Sequence, residues 1–200
     1  MDMTERIQKR SEEELLEASK ALAYEFQMLW NTAMLLSSDK FNRPDDVEML
    51  TVNFALLESF LIHARNLLDF LFTRGGNPDY VSAKDYVENW WEKKPKKSLL
   101  LTQTHGAIHT DVSHLSFKRN AVLKQSLDWR YLDITLELRE RLSDFAKLVT
   151  EKSYSNNLET LIQNTAQHSK DDLSFYENTA VTTATHYAVS NIFNVGWKKQ

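Results

Sequence analysis

The sequence predicts an all-α protein: a helical bundle of four to six helices with a C-terminal extension. Three observations carry this. The 200 residues contain only four glycines and three prolines, whereas strand-and-turn proteins use more of both at their turns. Long runs are rich in Leu, Glu, Lys and Ala, the residues that lose least in a helix. Apolar side chains recur at three- and four-residue intervals, the period of a helix with one buried face.

The first helix is expected from about Thr4 to Leu36. Its charged beginning, SEEELLEASK, gives way to ALAYEFQMLWNTAML, so it starts exposed and ends packed. SSDKFNRP follows as a connection. In the second helix, Asp45 with Glu48 three residues on has the form of a capping box. Gly75-Gly76 is expected to stop it, giving about 29 residues, or roughly 43 Å. Leu50, Phe54, Leu57, Leu61, Leu68 and Phe72 share one broad face of it. A short helix is expected from Ser82 to about Lys93, closed by Pro95. SLLLTQTHGAIHTDVSHLSFKRN reads as helical, strongest from Thr104 to Lys118. The next helix has Asp128 as its cap, and Tyr131, Ile134, Leu138, Leu142, Phe145 and Val149 repeat along it. After Lys152 the texture turns to Ser, Thr and Asn, with one more helix from Asn157 to Gln167. This divides the chain into a bundle domain, 1–152, and a C-terminal helix and extension, 153–200. In the extension Phe193 and Trp197 mark a contact arm or a last packed element.

Composition narrows the chemistry. With no cysteine there is no disulfide, thiolate metal site or cysteine nucleophile, which fits a reducing cytoplasm. The charged N-terminus lacks the apolar stretch of a secretory signal. No window approaches the roughly 18 consecutive apolar residues of a membrane span, so no membrane association is expected. A net charge of −4 gives no global case for nucleic acid, although local patches are possible. No glycine-rich phosphate loop and no GxSxG elbow is present, and no cofactor is expected.

Three stretches hold candidate functional groups. In ESFLIHARNLLDFLF, Glu58, Arg65 and Asp69 fall within about 40° on the helical wheel. His63 lies on the opposite border, and Asn66 faces away from the apolar side. Arg65 and Asp69 are four apart and can pair. The plain reading is a partly buried ion pair fixing helices in register. The functional one is a cleft beside Arg65, which needs polar groups from another helix. THGAIHTDVSHLSFKRN offers such groups: His105, His109, Asp111, His114, Lys118 and Arg119. His105 and His109, four apart, could share a face as metal ligands do. A zinc site needs a third ligand, however, and the zinc-protease motif places Glu where this chain has Gly106. His114, beside Leu115 and Phe117, also reads as a core histidine. In WWEKKPKK, two tryptophans adjoin Lys93, Lys94, Lys96 and Lys97, a combination used to bind single-stranded nucleic acid. The plain alternative is one tryptophan as an anchor and the lysines as a solvated loop.

LLESFLIHARNLLDFLF, the later SHLSFKRN and the helix after Trp129 together resemble an uncharacterised family of bacterial all-helical proteins. More distantly they resemble the HEPN superfamily, over roughly residues 45 to 150. HEPN domains are helical bundles found in RNA-cleaving toxins, in phage-defence systems and as non-catalytic partners of nucleotidyltransferases. Their catalytic signature is an Arg, often followed by a polar residue, then a His about four to six positions on. Arg65-Asn66 matches its start, but Phe70, Leu71 and Phe72 stand where the His would fall. Arg119-Asn120 is followed by Lys124, Gln125 and Ser126. The resemblance therefore implies a non-catalytic or divergent member.

The expected function is a non-catalytic interaction or regulatory module acting through a protein partner or a homodimer. Glu58, His63, Arg65, Asp69, His114 and Arg119 are its candidate binding residues. The alternative is a HEPN-like, RNA-directed toxin or phage-defence component contacting phosphates through Arg65, Arg119 and Lys93 to Lys97. A third is a metal-dependent hydrolase built on His105 and His109.

Overall fold

A computed structural model describes residues 10–38, 45–74, 77, 79–109 and 129–165. Among these there are six α-helices and no strand: α1 (Glu12–Leu36), α2 (Val47–Phe72), α3 (Trp90–Lys93), α4 (Leu99–Ala107), α5 (Tyr131–Leu148) and α6 (Lys152–Thr165). A 3-10 turn, Ala83–Asp85, lies between α2 and α3. The all-α expectation holds.

The helix ends differ from the expected ones for identifiable reasons. α1 begins at Glu12, because Ser11 is its N-cap with an extended backbone (φ −71°, ψ 158°); the expected start at Thr4 lies outside the described residues. Ser11 N–H donates to Glu14 Oε2 at 2.7 Å, and Glu14 N–H donates back to Ser11 Oγ at 3.2 Å. Three glutamates in the first turn add favourable charge at the positive end of the helix dipole. In α2 the cap is Asp46, one residue after the expected Asp45. Its Oδ1 accepts from Glu48 N at 3.0 Å and Met49 N at 3.1 Å. α2 ends at Phe72, and Thr73 is already extended. Gly75 and Gly76 lie outside the described residues.

The expected helix from Ser82 to Lys93 is broken. Ser82 and Asp85 do form the predicted cap, but over a single 3-10 turn. Asn89 then adopts a left-handed backbone (φ 56°), which Asn tolerates better than most residues, and α3 starts afresh. α4 starts at Leu99, within the stretch read as helical, because Ser98 caps it: its Oγ accepts from Leu101 N at 3.0 Å. A π-type turn follows at Ile108 and His109. Residues 110–128, with the Asp128 cap, lie outside the described residues. α6 starts at Lys152 rather than Asn157 and is described as far as Thr165, whose carbonyl accepts from Arg139 Nη1 at 2.7 Å.

α1 and α2 form the centre. Phe26, Leu29 and Ala33 of α1 meet Phe60, Ala64, Leu67 and Leu71 of α2, all fully buried and spaced by three or four residues. α6 packs along α1, and α5 crosses against α1, α2, α4 and α6. A second knot surrounds Phe145 of α5, whose ring takes Phe70, Tyr86 and Trp90 edge-on within 6 Å. Trp90 is 1% exposed, and its Nε1 donates to the Leu71 carbonyl at 3.0 Å. That bond satisfies one of the carbonyls left over at the end of α2 and fastens α3 to it.

Among the described helices, α2 is long and apolar enough to cross a membrane by length and composition. Its second half, from Phe60 to Leu71, is core of the bundle.

Candidate functional site

The last two turns of α2 face α4, and one carboxylate gathers the polar groups there. Asp69 Oδ1 lies 2.8 Å from His105 Nε2 and 3.5 Å from His109 Nε2. Thr73 Oγ1, one turn below, donates to the same oxygen at 2.8 Å. The other oxygen, Oδ2, is 3.4 Å from Arg65 Nε, so the predicted i,i+4 pair is present. The polar groups that the Arg65 seam needed from another helix come from α4. The third group that the two histidines lacked in the sequence comes from α2.

The i,i+4 spacing stacks His105 and His109 one turn apart, with ring centroids 4.9 Å from each other. The π-type turn at Ile108 and His109 sets the second ring at the end of the helix. Gly106 follows His105 on the exposed side of α4, and a Cβ built there meets no heavy atom of the described residues within 4 Å. Exposure grades across the cluster: the side chain of His105 is 13% exposed, Asp69 33% and His109 41%.

Behind His105 stands Lys97, its Nζ 2.5 Å from Nδ1. An ammonium only donates, so Nδ1 accepts and the ring proton sits on Nε2, directed at Asp69. Partial burial works against ionisation of Asp69. The hydrogen bonds from His105 and Thr73 outweigh it and hold the carboxyl well below its ordinary range. For Lys97, burial and the neighbouring Lys94 outweigh the attraction of Asp69 and push the ammonium's pKa down.

Lys97 also joins this cluster to a basic, aromatic surface. Its Nζ lies 5.4 Å from the centre of the Phe72 ring. Lys94 reaches the same ring at 5.4 Å and Trp91 at 5.8 Å, and Arg74 lies over Trp91 at 5.0 Å. The structure divides the WWEKKPKK stretch between core and surface. Trp90 is the anchor, and Lys93 and Lys96 are exposed, whereas Trp91, Lys94 and Lys97 form a cation–aromatic layer.

A second polar pair lies between α1 and α2. His63 Nδ1 donates to Glu25 Oε2 at 2.7 Å, and Asn66 Nδ2 donates to the same oxygen at 3.0 Å. The edge of Tyr24 packs on the imidazole, with centroids 5.9 Å apart. Burial alone would raise the Glu25 pKa; the bonds from His63 and Asn66 reverse this and lower it. His63 and Asn66 thus turn toward α1, away from Asp69.

No family model, curated protein or solved structure matches the chain. The site is therefore read from its own chemistry.

Of the sequence-predicted candidates, Arg65, Asp69, His105, His109, Lys94 and Lys97 come together on one side of α2. His63 belongs to the α1 pairing, and Glu58 is exposed further up the helix. His114 and Arg119 lie outside the described residues. Sequence reasoning missed Glu25, Thr73 and Arg74. Glu25 had a signal, since it is the lone acid within the apolar run ALAYEFQML. Thr73, four residues after Asp69, had the spacing of a helical neighbour.

Proposed function

We propose that this chain is a single-stranded nucleic-acid-binding component, with RNA as the substrate class, and that it binds across the face running from Trp91 to His109. The observation that carries the reading is the contact of Lys97 with both the Phe72 ring and His105. It makes one continuous surface of a stacking platform and a cluster of proton-carrying groups. Single strands are held by cations that follow the phosphates and by rings on which bases stack, each stacked base contributing about 1–3 kcal/mol. Arg74, Lys94 and Lys97 supply the first, Trp91 and Phe72 the second. Arg65 extends the positive edge toward Asp69. RNA is preferred over DNA because of the HEPN-like pattern around Arg65-Asn66, which in this chain lacks the downstream histidine.

The test is fluorescence anisotropy with a labelled single-stranded RNA and a DNA of the same sequence, at several salt concentrations. Affinity is expected to fall with salt at about 0.7 log unit per log unit for each phosphate engaged. It should be reduced by R74E, K94E and K97E and by Trp91→Ala. Absence of binding at low salt, or binding indifferent to those four changes, refutes the proposal.

A protein partner or homodimer is the second reading. It is favoured by Val47 (74% exposed), Ile62 (55%) and Tyr24 (54%) on α1 and α2. Sedimentation of the purified chain, alone and with V47E/I62E, tests the homodimer.

A further inference from the structure

We propose that Asp69, His105 and His109 form a binding site for a divalent transition-metal ion of the zinc class. The inference goes beyond nucleic-acid binding and does not rest on it.

The geometry supplies what the sequence lacked. Two imidazoles four residues apart project from one helix, and a carboxylate from a different helix faces them. The three donor atoms lie within 4.8 Å of one another. With metal–ligand distances of about 2.0–2.2 Å and tetrahedral angles, two donors on one ion stand roughly 3.3–3.6 Å apart. Asp69 Oδ1 stands 2.8 Å from His105 Nε2 and 3.5 Å from His109 Nε2, and no pair of donors exceeds 4.8 Å, so closure takes side-chain movements of roughly 0.5–1.5 Å. Two imidazoles and a carboxylate suit zinc and cobalt, and three protein ligands leave a fourth position open. That position has an approach from solvent on the side of His109, whose side chain is 41% exposed.

Outer groups hold the donors in place. Arg65 Nε fixes the second oxygen of Asp69, and Thr73 fixes the direction of the first. Lys97 acts against the ion. A metal would replace the proton on His105 Nε2, and the ring could then place its proton on Nδ1 only if Lys97 turned away. Lys97→Met is therefore expected to tighten metal binding, which a scattered surface histidine site would not do.

The full chain titrated with Co²⁺ tests this, read by visible d–d absorption and by isothermal titration. One ion per chain is expected, with the absorption of four- or five-coordinate cobalt. Asp69→Asn and His109→Ala should each weaken binding at least about tenfold. His63→Gln, on the other side of α2, should leave it unchanged. His109→Ala removes a half-exposed side chain, so a melting curve like that of the parent chain separates lost ligation from lost folding. No bound cobalt, or an affinity unchanged in both ligand variants, overturns the site. The titration contains no nucleic acid, so its failure and the failure of RNA binding are read separately.

Discussion

Gly106→Ala is the substitution that most sharply separates the demands of the helix from those of the site. Glycine inside a helix costs about 0.8–1 kcal/mol relative to alanine, because the unfolded chain gives up more freedom. Gly106 is next to last in α4, where the helix passes into the π-type turn at Ile108 and His109, so the expected gain is set at about 0.5–1 kcal/mol. No steric cost offsets it, since the new methyl group meets no heavy atom of the described residues within 4 Å. For a chain of this size the gain corresponds to a rise in melting temperature of about 1–4 °C. Differential scanning calorimetry and urea titration read it directly. If the glycine instead serves close approach of a ligand between His105 and His109, the same variant binds RNA more weakly while folding more stably. A variant less stable than the parent refutes the reasoning, because it means that the space beside Gly106 is filled in the folded chain.

Two other changes test the frame that holds the site. Trp90→Phe loses the bond to the Leu71 carbonyl and part of a buried ring; a loss of about 2–3 kcal/mol is expected by urea unfolding, with weakened RNA binding if α3 positions the basic surface. Glu25→Gln removes the charge that His63 and Asn66 address and should cost about 1–3 kcal/mol at neutral pH. The folded pKa of Glu25 lies below its unfolded value near 4.5, so its contribution is complete above 4.5 and is lost as pH falls through the folded pKa. The gap between parent and Glu25→Gln should therefore close in acid; a gap that stays constant from neutral pH to below that range contradicts the assignment.

The bundle was legible because its signals are local and periodic. Scarce glycine and proline, the three-four spacing of Phe60 to Leu71, and the Ser82–Asp85 cap can each be read from neighbours in the chain. The helix starts were less so. Ser11, Asp46 and Ser98 each compete with nearby residues of similar chemistry, and only the backbone conformation decides which becomes the cap. The Asn89 break is of the same kind. Nothing in SAKDYVENWWEK demands a left-handed residue at that position, and the burial of Trp90 against Phe145 selects it. The site was half legible. Arg65–Asp69 and His105–His109 are each visible as four-residue spacings. Their meeting depends on how α4 lies on α2, a tertiary fact that no periodicity records. Glu25 illustrates the same limit, since an acid in an apolar helix announces that it has a partner without saying which.

Trp90 and Trp91 are consecutive yet do opposite work, and this bears on how the proposed ligand meets the protein. Because Trp90 bolts α3 to the end of α2, the rings and cations beside it are held in place before anything binds. A strand settling there would not have to order a loop first, so less of its contact energy goes to organising the receiver. The bolt also links distant parts of the chain. A disturbance at Phe145 of α5, which Trp90 touches, reaches the surface of Trp91 through one indole, and from Lys97 it reaches His105. The face from Trp91 to His109 is thus a mechanical extension of the bundle's core, and mutations deep in that core should alter binding as well as stability.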